Sequence, residues 1–138
     1  MLRKKTLLVL SFMLCLVLCA EAQNREQKLD RAISLYEFGH YAEARSEFLA
    51  AKKRLSSAED KFAIEKIDYY VALCDVELKR GEVEERLRKF LLEHPGSAAS
   101  NDVVFALGEH YCIEGDVMSA AAALRAVDYD RLDPDRRD

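Results

Sequence analysis

The feature that most constrains this chain is an internal match. Residues 68–83 (Asp-Tyr-Tyr-Val-Ala-Leu-Cys-Asp-Val-Glu-Leu-Lys-Arg-Gly-Glu-Val) align without a gap on residues 102–117 (Asp-Val-Val-Phe-Ala-Leu-Gly-Glu-His-Tyr-Cys-Ile-Glu-Gly-Asp-Val). The identities Asp68/Asp102, Ala72/Ala106, Leu73/Leu107, Gly81/Gly115 and Val83/Val117 all fall 34 residues apart. Self-similarity at a fixed period marks an array of supersecondary units that bury their apolar faces on one another. A fainter copy precedes them: 35–48 carries Gly39-x-Tyr41, then Ala44 and Phe48.

Within each copy the apolar period is helical. Phe62, Ile64, Ile67, Val71, Cys74 and Leu78 recur with charged residues between them, so strands are excluded by period and by length. The spacing predicts helices over 24–37, 41–54, 58–80, 83–93, 98–114 and 117–127. His94-Pro95-Gly96-Ser97 breaks the fourth from the fifth, through Pro95 acting on the preceding residue and Ser97 as a cap. Gly39 and Gly81 are 42 residues apart. The extra eight are expected to lengthen the third helix, because Ser56 and Ser57 followed by Glu59 and Asp60 form a capping signal. Gly81 and Gly115 are expected to take positive φ. The small residues Ala44, Ala72, Ala106, Gly108 and Ala121 are expected where helices approach most closely.

A turn glycine (Gly39, Gly81, Gly115), a hydrophobic residue two positions later (Tyr41, Val83, Val117) and a bulky residue in the second helix (Phe48, Phe90, Leu124) resemble the tetratricopeptide repeat family over nearly the whole of residues 23–138. The repeats would be about 24–56, 57–96 and 97–131. The phrase Phe90-Leu-Leu-Glu-His-Pro-Gly-Ser97 with Phe105-Ala-Leu-Gly108 is similar to the subgroup found in bacterial outer-membrane assembly and cell-division-coordinating lipoproteins. The resemblance implies an all-α fold, a right-handed superhelical solenoid of antiparallel helix pairs. It also implies a concave groove, lined by the first helix of each pair, that holds a protein or peptide partner. Glu65, Asp68, Tyr69, Asp102 and Glu109 are the groove candidates. Lys28 and Arg31 stand where the first helix of the family is apolar, as suits an N-terminal repeat.

The first 22 residues have a different composition. Arg3, Lys4 and Lys5 precede an apolar run over 6–20, and Ala20-Glu21-Ala22 offers a signal-peptidase site, so export with cleavage after Ala22 is expected. The run is about 15 residues, roughly 22 Å of helix against about 30 Å of hydrocarbon, so no spanning helix is expected in the mature chain. Lipidation at Cys19 is disfavoured by Leu18 before it. Losing Arg3, Lys4, Lys5 and Glu21 from 21 basic and 25 acidic residues leaves 18 against 24, a net charge of −6. That balance argues against nucleic acid as partner.

Two cysteines survive cleavage, Cys74 and Cys112, either as a disulfide or as two small buried thiols. Metal-ligand spacing is absent among Cys74, Cys112, His94 and His110, and neither a phosphate loop nor a nucleophile-base pair is present, Cys112 and His110 being two apart on one helix. His40 and His94 are expected as exposed turn residues. A non-catalytic scaffold in the periplasm or at the outer membrane, with no cofactor or metal, is therefore expected. The alternative is an N-terminal assembly segment of a longer helical-repeat envelope protein. The apolar helix 117–127 is expected to need a cover, from an oligomer, a partner or a further helix opening at Asp133-Pro134.

Overall fold

A computed structural model describes residues 2–56, 60–132 and 134, with the side chains of 1–12 and 17–22 also left aside. Most of the apolar run 6–20, all but residues 13–16, together with Ser57, Glu59 and Asp133, thus lies outside the described side chains. The described residues are all helical, with no strand. Six α-helices run in order: α1 (Leu2–Glu37), α2 (Tyr41–Lys52), α3 (Lys61–Glu77), α4 (Val83–Glu93), α5 (Ser100–Glu114) and α6 (Val117–Arg125), followed by a 3-10 turn at Tyr129–Arg131. Each helix packs on the next along the chain, and α3 also touches α1 and α5. Among the described residues, no helix is long and apolar enough to cross a membrane.

Two adjoining cores hold the stack. Ala32, Ala44, Phe48, Ile67, Val71 and Cys74 join α1, α2 and α3. Ala72, Leu73, Val83, Leu87, Phe90, Val103, Ala106, Leu107, Tyr111 and Ala120 join α3 to α6. α3 serves both, which explains its unbroken buried run from Val71 to Asp75. Ala44, Ala72 and Ala106 are each no more than 1% exposed, and a Cβ on Gly108 would meet Leu124 Cγ at 2.7 Å. These are the close approaches that small residues permit. Ala121 is half-buried instead, and its neighbour Ala120 takes the tight position.

Three expectations are corrected. The first helix starts at Leu2, not at 24, so the described backbone carries one helix through residue 37. The eight extra residues are not one lengthened helix. α3 has 17 residues against 15 in α5 and α2 has 12 against 11 in α4, and the remainder falls in the α2–α3 connection and the α3–α4 turn. Within the connection, Ser56 N–H donates to Asp60 Oδ2 at 2.9 Å, so the acid of the capping signal holds the chain just before α3.

Gly81, finally, does not take positive φ; Lys79 does, at 50°. The hydrogen bonds give the reason. Lys79 N–H reaches Val76 O and Arg80 N–H reaches Asp75 O, the same paired pattern that Gly39 and His40 make at the end of α1, and Gly115 and Asp116 at the end of α5. Lys79 therefore stands in the left-handed position that Gly39 and Gly115 fill elsewhere. We predict that Gly115→Ala, at φ 78°, loses about 1–2 kcal/mol. Gly81→Ala, with open space around it, is neutral or slightly stabilising. Urea denaturation of the two variants checks the contrast.

After α6 the chain turns back on the start of α5. Asn101 Nδ2 donates to Asp128 O and Asp128 N–H donates to Asn101 Oδ1, both at 2.8 Å. Tyr129 meets the edge of Phe105 at 6.3 Å, and Leu132 is 2% exposed. Residues 127–132 thus cover part of the α5–α6 pair. The first turn of α6 stays open, with Val117 74% and Met118 83% exposed.

Candidate functional site

α3 brings Glu65 and Asp68 to one flank of the stack, where the C-terminal ends of α2 and α4 meet its first half. Lys52, the last residue of α2, donates to Asp68 Oδ1. The other carboxylate oxygen faces His94 Nε2 at 3.1 Å. Because a carboxylate only accepts, the imidazole proton sits on Nε2, leaving Nδ1 buried with no partner. Ser97 Oγ donates to Glu65 Oε1 at 2.6 Å while accepting from Ala99 N–H. His94 is buried, at 8% exposed, which corrects its reading as an exposed turn residue. Pro95 ends α4 there and turns the ring inward, onto Phe90 at 4.9 Å between centroids.

Of the other groove candidates, Tyr69 is half-buried against Tyr70 and Phe90. Asp102 is half-buried near the start of α5, and Glu109 is exposed two turns further along it. Residues seven apart share a helix face. Two of the five candidates are thus brought into a network, and Lys52, His94 and Ser97 join it. A buried histidine beside a half-buried acid has no local spacing signal, so only the packing of α4 on α3 reveals it.

Donor atoms of Asp68, Glu93 and His94 lie within 4.8 Å of one another. These are the described residues that could approach a metal ion together, a grouping drawn from α3 and the end of α4 that has no metal-ligand spacing in the sequence. Lys52 already occupies one oxygen of Asp68 and Lys89 lies 3.7 Å from Glu93, so the cluster is balanced by cations.

At the other end of α3 the chemistry differs. Asp75, 2% exposed, lies among Arg45, Arg80 and Arg86. Burial, with Asp75 adding to it, pushes the neighbouring Cys74 thiol up to about 12. Cys74 is a buried free thiol and Cys112 an exposed one. No disulfide joins them, and Cys112 is not the buried thiol expected.

A third group ties α4 to α5. Tyr111 hydroxyl donates to Glu84 Oε1 at 2.8 Å, and Arg88 donates to both. The hydrogen bond from Tyr111, then that from Arg88, holds Glu84 below its ordinary 4.5. Burial, then the bond to Glu84, raises Tyr111 above 10.0. A lowered acid contributes stability above its unfolded pKa and loses it as pH falls; a raised phenol contributes below its unfolded pKa and loses it as pH rises. Stability is therefore expected to decline below pH 4.5 and above pH 10. Tyr111→Phe should flatten the alkaline limb in thermal melts taken across pH.

Compared with protein-family models, curated proteins and solved structures, the chain gives no match.

Proposed function

We propose that this chain is an exported, non-catalytic scaffold of the tetratricopeptide type. Its signal peptide is cleaved after Ala22, its helix pairs stack into a right-handed superhelical solenoid, and it holds a protein or peptide partner in the cell envelope, in the periplasm or at the outer membrane. The observation that carries this reading is the gapless match of 68–83 with 102–117, together with helix starts at Val83 and Val117, in the same 34-residue register. Sequential packing of helix on helix supports it, since such an array offers a continuous lateral surface to a partner. The departure at Lys79 leaves the helix starts in register because the α3–α4 turn absorbs the difference.

Glu109 is the partner-facing residue of choice, being exposed on a first helix. A photo-crosslinking residue at Glu109 in living cells should give a discrete protein adduct, and one at Lys89 on α4 should not. Equal adducts from both positions, or none, would defeat the groove reading. Amino-terminal sequencing of the envelope fraction should begin at Gln23; a chain retaining residues 1–22 in the cytoplasm would defeat export.

One observation favours the second reading, an assembly segment of a longer repeat protein. Val83 is 3% exposed, buried in the core that joins α3 to α6, while its counterpart Val117 is 74% exposed. A further first helix would cover it.

A further inference from the structure

Three guanidinium groups converge on one carboxylate at the end of α3. Arg45 Nε donates to Asp75 Oδ1 at 2.6 Å. Arg80 Nε lies 3.3 Å from the same oxygen, and Arg86 Nε 3.1 Å from Oδ2. Arg86 also approaches Glu82, at 3.8 Å, but Glu82 is 77% exposed and remains in water. Three positive charges therefore face one buried negative charge, in a chain whose overall balance is acidic.

Hydrogen bonding is as unbalanced as charge. Each guanidinium carries five N–H donors. Among the three arginines, only Arg45 Nε–H makes a hydrogen bond within the described protein. Arg86 Nε is buried and, although near Asp75, is out of line for a hydrogen bond, so it has no acceptor. Leaving a buried cationic donor unsatisfied is costly. The N-termini of α2 and α4 open near this end, Arg86 lying in the first turn of α4 and Arg45 just past that of α2, and their partial positive charges offset the partial negative charge at the C-terminal end of α3.

We propose that Arg45, Arg80 and Arg86 form an oxyanion-binding site for a phosphate-type dianion. Asp75 faces the Nε edges of all three groups, hydrogen-bonded to Arg45 and ion-paired with Arg80 and Arg86, and their terminal amino groups would supply paired donors to the ligand's oxygens. A dianion restores neutrality to the cluster. The ligand is either a free ion or a phosphoryl group carried on a larger molecule. This site is independent of the groove, which uses the other half of α3.

The test is NMR of the full chain, following the arginine Nε–H resonances during titration with inorganic phosphate at constant ionic strength set by chloride. Arg45 and Arg86 should shift saturably. Arg80→Gln, at a half-exposed residue whose loss leaves the fold intact, should weaken binding about tenfold, the loss of one charge-assisted contact. Phenyl phosphate in a second arm separates the sources. Tighter binding than phosphate identifies a phosphoryl group on a larger molecule, and equal binding identifies the free ion. Shifts that chloride reproduces, or that persist unchanged in Arg80→Gln, would overturn the site.

Discussion

Replacing Phe48 with alanine is expected to cost about 3–5 kcal/mol, the range for emptying a buried aromatic position. Phe48 is fully buried and stacks on Tyr70 with centroids 5.1 Å apart and planes at 11°. It fills the space that α1, α2 and α3 share with Ala32, Ala44, Ile67 and Val71. Ala32 and Ala44 bring no bulk to fill the void, so the cavity should persist and not collapse. Total stability of a domain this size is about 5–15 kcal/mol, so the variant stands near the threshold of folding. Equilibrium urea denaturation measures the loss. Phe38→Ala, at a residue 79% exposed, should change stability by no more than about 0.5 kcal/mol. Equal effects at the two positions would mean that the α1–α3 core is not packed as described.

Asp75→Ala is the second large effect, at about 2–4 kcal/mol. Removing one partner of a buried ion pair leaves charge uncompensated and commonly costs about 3–5 kcal/mol. The estimate sits lower because Arg80, with its side chain 54% exposed, returns to water, while Arg45 at 20% does so only in part. Mutual repulsion of the three arginines makes the loss salt-dependent. The measurement is denaturation of the variant at low and high ionic strength, and part of the loss should be recovered in salt. Recovery identifies repulsion, whereas a salt-independent loss would assign the effect to packing alone.

Much of the fold was legible because helices leave a periodic record. The breaks at Gly39, Pro95 and Gly115, and the buried positions Ala44, Phe48, Ala72, Leu73, Phe90, Ala106 and Leu107, all follow from spacing and residue size. What spacing misled on was the turn after α3. Glycine at position 81 matches Gly115 in sequence, yet the left-handed position falls on Lys79, because α3 ends earlier and its turn is longer than that after α5. Hydrogen-bond closure selects that position, and a lysine tolerates it at modest cost.

The polar sites were less legible for a different reason. Glu65 and Asp68 were singled out on α3, but their partners Lys52, His94 and Ser97 come from other helix ends and connections, at sequence separations of 16, 26 and 32. Only Asp75 left a trace, as a charge inside the apolar run Val71-Ala-Leu-Cys-Asp-Val76. A buried charge needs partners, yet nothing local pointed to Arg45, 30 residues away.

The central claim is that α5 through the start of α6 repeats α3 through the start of α4 in a 34-residue register, which makes the residues between the two helix starts one stackable unit. It is tested most directly by duplicating residues 83–116, the 34 residues from one helix start to the next, and measuring circular dichroism and thermal unfolding. In the longer chain, the second copy of Val83 takes the place of exposed Val117 and gains a covering helix. If the units are interchangeable, helicity per residue is preserved, unfolding remains a single transition, and the midpoint does not fall. Lost helicity, or a separate low-temperature transition from the inserted segment, would contradict the repeat.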